Sequence, residues 1–531
     1  MADTVREIER KYEVPDGGRL PDLTGAAGVA DVVDQGTATL DATYYDTADQ
    51  RLAAHGVTLR RRTGGGDAGW HLKLPAGPDA RDEIRAPLSD TLPAELAALV
   101  RSRVRDAELV PLVRLLSERD VRHLLDAEGA LLAELSADRV TARRLTPEPG
   151  EPVRWTEVEV ELAPGGDPAL LDALETHLTR GGVRRAAAAS KLARALTETA
   201  DPAGAGEKAG AGAGVKAKTG AEAGAAADTT AGDTVLDYVR AQIAAVVALD
   251  PAVRLDAPDS VHRMRVATRR LRSAFRSFRK VLDRAATDPL ADELKWLAGE
   301  LGIDRDREVL TARLEERLRE LPEELRAGPV AARLGAWARE RRGGTRDRLL
   351  GVLDGDRYLA LLNALDALSA DPPLRPAAAR PPEDVLVEAV ERDYGRLAAL
   401  VTTALAAPAG QDRDLAMHEA RKEAKRARYA AEAARPALGR PAKAFADLMT
   451  GLQELLGDHQ DSCVARRALR ELAEQAHAAG ESAFAFGVMY GREEALAARR
   501  EAELPALWAA ASREDHRAAL RRRPRRAALR R

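Results

Sequence analysis

Glu7, Glu9 and Lys11 stand at alternate positions in the run Val5–Val14, and Glu157, Glu159 and Glu161 do the same in Arg154–Leu162. Alternate residues of a strand leave one face. Each run therefore carries a charged row with apolar residues behind it, such as Val158, Val160 and Leu162. Arg60 and Arg62 alternate in the same way, and Lys73 follows on the next strand candidate. Carboxylates hold Mg²⁺ or Mn²⁺ and leave coordination positions for phosphate oxygens. Arg and Lys neutralise the rest of a triphosphate. In-line attack by water then needs mainly positioning and charge stabilisation. A solvated strand face with cross-strand ion pairs uses the same residue types. The ordered succession E-x-E-x-K, R-x-R, Lys and E-x-E-x-E favours the site.

A second set lies in the C-terminal half. His262, Arg265, Arg269, Arg272 and Arg276 step by 3, 4, 3 and 4, which on a helix makes one stripe. His418, Arg421, Lys425 and Arg428 repeat it, with Arg270 matched by Arg426 and with Lys422 adding a further cation. Apolar residues one place earlier (Val261, Met264, Leu271, Phe275; Met417, Ala420, Ala424, Ala427) form a packing seam beside each stripe. The first stripe runs roughly 21 Å at about 1.5 Å per residue. It contains no acid, and like charges at this spacing repel, so it predicts an anion that neutralises it. Protonated histidines would donate to phosphate; buried, satisfied histidines are the alternative. Downstream, Gly302 and Asp306 match Gly457 and Asp461. The offset is 156 residues at the histidines and 155 at the glycines, so the two motifs of each copy keep register. This predicts a duplication.

The elements that must position these residues follow from pattern. Short alternating runs at 38–45, 57–62, 70–74, 112–125 and 130–144 join the two above, with Gly, Pro and Asp turns between them. Helices are predicted at Pro93–Val104 and Pro168–Arg180. With charge on one strand face and apolar residues on the other, a sheet closed on itself keeps the charges inside and packs its apolar side outward. Residues 201–232 are Ala/Gly-rich with almost nothing to bury and predict a flexible linker. From 233 onward the chain predicts helices of bundle length, broken near 251–258, 322–329, 371–382, 408–410 and 436–441. The expectation is an α+β two-domain chain. Residues 1–200 form a closed antiparallel β-barrel, and residues 233–510 an all-α pair of four-helix bundles with a pseudo-twofold repeat. Residues 511–531 are an Arg-rich tail, disordered over RRRPRRAALRR at 521–531.

Composition narrows the function classes. Residues 1–200 carry 26 Lys/Arg against 34 Asp/Glu, and residues 234–531 carry 53 against 46. So mild an asymmetry is compatible with an anionic partner without demanding one. Cys463 is the only cysteine, which excludes an intrachain disulfide and a thiolate zinc cluster. The N-terminus lacks the apolar core of a signal peptide, and apolar runs such as Ile243–Leu249 are too short for a bilayer. The expectation is a cytoplasmic protein without membrane contact. Aromatic residues make up 3% of the chain, which argues against base stacking and so against nucleic acid as a partner.

The doubled H-x-x-R-x-x-x-R-R-x-R and LG-x-x-x-D pairs resemble the conserved-histidine α-helical domain, CHAD, over about residues 233–510. The resemblance implies a basic groove between two bundles that binds polyphosphate without catalysis. The second copy departs from the first in having Lys425 for Arg269 and Asp458-His459 for Ile303-Asp304. EIERK, YYDTADQRL, TLRRRTGG, GWHLKLP, WTEVEVEL and SKLARAL, in that order, resemble the CYTH or triphosphate tunnel metalloenzyme family over about residues 1–197. That resemblance implies Glu7 and Glu9 as metal ligands, joined by two of Glu157, Glu159 and Glu161, of which Glu159 and Glu161 are favoured. It implies Lys11, Arg60, Arg62, Lys73 and Lys191 as phosphate ligands, and more loosely Arg114, Arg119 and the acid Asp138. Taken together the resemblances imply metal-dependent hydrolysis of triphosphate or short polyphosphate in a tunnel. The helical half would concentrate inorganic polyphosphate or seat the chain on polyphosphate granules. A non-catalytic polyphosphate binder and an adenylate cyclase are the competing readings.

Overall fold

The computed structural model describes residues 3–14, 20–199, 229–342 and 345–522. Contacts divide the chain into two compact units, Met1–Gly220 and Ala221–Arg531.

The first unit is built on strands β1 (Asp3–Glu13), β2 (Asp31–Asp46), β3 (Thr58–Thr63), β4 (Gly69–Gly77), β5 (Ala80–Pro87), β6 (Val110–Leu125), β7 (Leu131–Arg144), β8 (Val153–Leu162) and the short β9 (Arg184–Arg185). The pairing order is β5-β4-β3-β2-β6-β7-β8-β1, and β1 pairs back onto β5. The hydrogen bonding of eight strands thus runs full circle, with β9 added alongside β1. All these pairings are antiparallel, so the closed sheet expected from the sequence is present as a ring.

Apolar side chains pack on the outside of the ring. Three helices cover them: α1 (Arg51–Ala54), α2 (Ala94–Val104) and α3 (Ala169–Arg180). Val158, Val160 and Leu162 of β8 bury against Leu171, Leu174 and Leu178 of α3. Leu59, Trp70, Leu72 and Ile84 meet Leu96, Leu99 and Val100 of α2. A fourth helix, α4 (Lys191–Glu198), packs on the inward side, where Leu192 and Ala195 meet Leu115 and Trp155, which share strand faces with Arg119 and Glu157.

Strand β5 was missed in the sequence. Its alternation of Arg81, Glu83 and Arg85 inward with Ile84 buried outward reads as a charged loop when the usual polar-out pattern is sought.

The second unit is helical throughout. Its elements are α5 (Ala231–Arg254), α6 (Ser260–Ser277), α7 (Arg284–Glu300), α8 (Gly302–Arg319), α9 (Val330–Arg342), α10 (Thr345–Asp354), α11 (Asp356–Ala370), α12 (Pro382–Ala406), α13 (Gln411–Leu438), α14 (Arg440–Ala478), α15 (Phe484–Ala511) and α16 (Glu514–Arg521). Helix α5 starts two residues before the expected boundary at 233, because Thr230 and Asp233 form a reciprocal capping box.

The unit buries two apolar clusters of unequal size. Met264, Leu271 and Phe275 of α6 and Met417, Ala420 and Ala424 of α13 join one large apolar cluster. Leu314, Trp337, Leu469 and Phe486, from α8, α9, α14 and α15, belong to a smaller one. The alanine seam of α13 lets neighbouring axes approach closely, since interaxial distance follows side-chain size. The expected tail is also partly ordered: α16 packs Leu520 into the large cluster, and Arg517 lies 4.7 Å over the Tyr394 ring. Residues 523–531, like most of the expected linker, lie outside the described residues. Among the described residues no helix is long and apolar enough to cross a membrane.

Leu174 is fully buried between α3 and the ring. Leu174→Ala is expected to destabilise the first unit by about 2–5 kcal/mol in urea unfolding, the usual cost of such a cavity.

Candidate functional site

The inward faces of the ring enclose a cavity of about 340 Å³. Glu7, Glu9 and Lys11 of β1, Arg60 and Arg62 of β3, Lys73 of β4, Arg119 of β6, Glu159 and Glu161 of β8 and Lys191 of α4 line it. Register brings them together: Glu9 stands opposite Glu161, and Lys11 opposite Glu159. Directly opposed residues of an antiparallel pair share a face. Lys191 arrives from a helix whose start is capped by Ser190, which accepts from the Ala193 N–H at 3.1 Å.

Charge is distributed unevenly around the wall. Lys191 lies 2.9 Å from Asp138, 2.9 Å from Glu157 and 2.6 Å from Glu159. Arg119 donates to both oxygens of Asp138 at 2.8 and 2.7 Å and to Glu159 at 2.9 Å. Lys11 pairs with Glu159 and sits 3.0 Å from Glu9, and Lys73 pairs with Glu7. Burial favours the neutral acid at Glu159, but Lys11, Lys191 and Arg119 outweigh it and hold this carboxyl well below the usual range. Glu161 makes no ion pair among the described residues. Burial, and then the nearby Glu7, push it up to about 7. Glu7 is raised as well, by burial against the pull of Lys73.

Strands β3 and β8 are four places apart in the eight-strand cycle, so they face each other across the ring. Arg62 on β3 pairs with Asp67, yet burial and then Arg60 and Arg119 bring it down to about 9. Glu161 on β8 is therefore left without a cation, while Arg60 and Arg62 crowd each other on β3.

In the helical unit the stripes of α6 and α13 come together. The charges of Arg265, Arg269, Arg421 and Lys425 act on one another. Among the described residues no ion pair with an acid is seen for Arg269, Arg272 or Lys425. Burial, then Arg421 and Arg269, bring Lys425 down to about 7. Burial and then Arg276 lower Arg272.

The stripes are less bare than their sequence implied, because acids arrive from other positions. Arg265 forks Asp306 at 2.6 and 2.8 Å. Arg270 lies 3.0 Å and Arg428 3.5 Å from Glu432. Arg426 pairs with Glu423 at 2.8 Å and Lys422 with Glu419 at 2.6 Å. Arg276 is exposed. His262, at the other end of α6, is half-buried, and burial and then Lys422 lower His418, which opposes a protonated, phosphate-donating ring there.

The two repeated motifs touch. A Cβ on Gly302 would stand 2.7 Å from the Arg265 guanidinium, and one on Gly457 would stand 3.2 Å from that of Arg421. The glycines are where the rows' arginines lie flat against the next helix.

The CYTH domain family model matches residues 5–196, and the CHAD domain model matches residues 237–470. An uncharacterized protein of Mycobacterium tuberculosis is 38% identical over 517 residues, spanning 94% of this chain and 95% of its own length. The chain belongs to the CYTH–CHAD family. Among solved structures, PptA from Streptomyces chartreusis is similar at 22% identity and a TM-score of 0.45, covering 53% of this chain and 99% of its own. The CHAD domain from the plant Ricinus communis is similar at 27% identity and a TM-score of 0.43, covering 56% and 97%.

Not every CYTH residue expected at the site reaches the cavity. Asp138 and Glu157 sit behind it: Asp138 is fully buried under Arg119 and Lys191, and Glu157 accepts from the Trp155 indole at 2.6 Å. They position cations and are not placed to ligate an ion in the cavity. Arg114 leaves the site altogether, half-exposed and forked onto Asp41 at 2.9 and 2.6 Å. It lies five residues from Arg119 in one strand, and an odd separation puts the two on opposite faces. Sequence reasoning missed Glu83, which joins Lys73, Arg60, Arg85 and His71 on the CYTH wall. It also missed Tyr44, whose hydroxyl accepts from Arg60 at 3.2 Å. The alternation of Glu83 with Arg81 and Arg85 was the available signal.

Removing Asp138 strands two buried cations. Asp138→Asn is expected to cost the CYTH unit about 3–5 kcal/mol in urea unfolding at pH 7, the usual penalty for breaking a buried pair. Lys191 and Arg119 outweigh burial and hold the Asp138 carboxyl below its ordinary range, so its stabilisation is present above that range. It is lost as pH falls through the depressed folded value. The difference between parent and variant should therefore shrink on acidification.

Proposed function

We propose that the CYTH ring hydrolyses inorganic triphosphate or short polyphosphate with a divalent cation, Mg²⁺ or Mn²⁺, and that the CHAD helices bind polyphosphate. The observation that carries this is the opposition of walls across β3 and β8. Glu161 on β8 has no cationic partner among the described residues, while the charges of Arg60, Arg62 and Arg119 crowd one another about β3.

The unpaired carboxylate of Glu161, with Glu7 and Glu9 beside it against Lys73 and Lys11, suits a hard cation that takes oxygen ligands. These residues, with Glu159, would hold the ion, which would polarise a phosphoryl oxygen and lower the pKa of a bound water. The chain's own part is positional. Arg60, Arg62, Lys73 and Lys11 neutralise and align the phosphate oxygens, Arg119 and Lys191 fix Glu159, and Asp138 and Glu157 fix those two cations in turn. Among the described residues Tyr44 is the one aromatic residue lining the cavity, which offers little to a nucleotide base and favours an inorganic chain over ATP.

In the CHAD unit, Arg269, Arg272, Arg276 and Lys425 carry charge that acids leave unmatched, with Arg265 and Arg421 beside them. A linear anion with a charge on each phosphate matches such a row.

Incubation of the full chain with tripolyphosphate or ATP and Mg²⁺ or Mn²⁺ is expected to release phosphate from tripolyphosphate. Glu9→Gln should lower kcat on the order of a hundredfold, the scale of losing one charge-stabilising group. Cyclic AMP as the main product from ATP would favour the cyclase reading. No turnover by the folded protein would leave a polyphosphate-binding protein.

Lys425 sets a pH signature for the CHAD unit. In the free protein it titrates at about 7, and a bound polyanion would raise that value. Binding above pH 7 should then take up a proton, and affinity should fall with rising pH by at most about tenfold per pH unit. Calorimetry in buffers of different ionisation enthalpy reads the proton directly. Lys425→Arg should keep the affinity and abolish the uptake.

A further inference from the structure

His71 of β4 is fully buried and has no part in the phosphate chemistry above. It stands two residues from Lys73 on the inward face, opposite Arg60 of β3 and Arg85 of β5. Its Nδ1 lies 3.0 Å from Oε1 of Glu83 on β5, and its Nε2 lies 2.9 Å from the backbone carbonyl oxygen of Asp67. Asp67 belongs to the turn 64–68 between β3 and β4, and it lines the cavity and pairs with Arg62.

We propose that His71 is a positioning residue for phosphate binding in the ring, pinning the turn 64–68 at the cavity when an anion is bound. This rests on the phosphate reading of the cavity and deepens it. Three observations carry it.

The first is what the turn lacks. Gly64, Gly65 and Gly66 are exposed, so three successive residues have no side chain to pack. Gly64 and Gly65 have φ of 79° and 70°, which glycine adopts without strain. Asp67 supplies a tie at each of its ends, the carboxylate to Arg62 and the carbonyl oxygen to His71.

The second is competition for Arg62. A phosphate that enters on Arg62 must displace the Asp67 carboxylate from it. The carbonyl contact with His71 is separate from that exchange, so it can hold the turn while Arg62 changes partner.

The third is the count of donors. Both atoms facing the ring are acceptors, and a neutral imidazole has one N–H. Burial, then Arg60 and Arg62, outweigh the pull of Glu83 and bring the ring down to about 4. The empty cavity thus leaves one proton for two oxygens. Glu83 is charged and is the stronger acceptor, so the Asp67 carbonyl goes without. A phosphate chain on Arg60 and Arg62 offsets the charges that depress the ring, raises its pKa and supplies the second N–H. The pin closes with the anion.

Amide exchange over residues 63–69 is measured at pH 6 in the full chain, with and without saturating tripolyphosphate, and with a chelator present to prevent turnover. In the parent the anion is expected to slow exchange of the turn by about tenfold, the scale of one hydrogen bond to a charged group. His71→Gln sets a neutral donor where Nε2 stands and should slow the turn even without the anion. His71→Asn sets its donor where Nδ1 stands, toward Glu83. Its turn should stay fast with the anion bound, and its affinity for tripolyphosphate by calorimetry should fall about tenfold. A histidine that only fills the core leaves exchange of the turn the same in all three folded proteins, and that result overturns the proposal. So does an anion that slows the turn of the Asn variant as it slows the parent's. A parent that binds no tripolyphosphate sinks the phosphate reading instead, and the ligand-free contrast of Gln with Asn still decides whether His71 holds the turn.

Discussion

Closing an antiparallel sheet with its charged face inward is the constraint on which the first unit depends. A ring of eight strands has no edge to hide, but it has an interior that solvent reaches only through its ends. Each inward acid must find a cation across a strand pair or face the cost of desolvation. The consequence on the outside is equally firm. Outward apolar rows need covers, and α2 and α3 each lie over a separate apolar cluster. These helices are thus required by the inverted pattern. A further helix, α4, packs on the inward side and delivers Lys191 to the carboxylates it helps enclose.

The helical unit meets the problem of crowded like charge by another route. Its cations lie along helices and not around a wall, so they cannot all be paired by register. Arg265 and Arg421 are accommodated by glycines on neighbouring helices, and Arg265 gains Asp306 from the same motif. The motif containing glycine and aspartate is therefore a seat for the row's arginine. This explains why both motifs recur together in each copy. It also explains why the second copy must keep Gly457, since a Cβ there would press on Arg421.

What could be read from the sequence follows from how far each signal reaches. Alternation marked β1, β3, β4 and β8 because their inward charges are regular, and it named eight of the residues that line the cavity, the family resemblance adding Arg119 and Lys191. It failed at β5, where charge at nearly every position concealed Ile84. The resemblance also put Arg114 at the site, although its odd separation from Arg119 places it outside. Helical periodicity found both cationic stripes. It could not find Asp306 or Glu432, since these partners arrive from another helix or the other copy. Nor could alternation find the placing of His71 between Asp67 and Glu83, which a turn and two strands assemble. Local period specifies a face, while pairing between distant elements is a property of the packed chain.

The two units leave charge unbalanced in different shapes, and the shapes distinguish what each can hold. In the ring the imbalance is enclosed, with Glu161 on one wall and Arg62 on the other around a cavity of about 340 Å³. A balancing guest must carry both signs within that volume, as a divalent cation bound to a short anion does. Along α6 and α13 the imbalance has one sign and is linear, through Arg269, Arg272, Arg276 and Lys425. A guest there needs only negative charge at intervals, and nothing in a row of cations sets where it must end. The carboxylates thus separate the two proposed roles more sharply than the cations do. Both units supply Arg and Lys in rows, but the CYTH ring sets the unpaired Glu161 opposite them, the arrangement that the proposed metal-assisted cleavage requires.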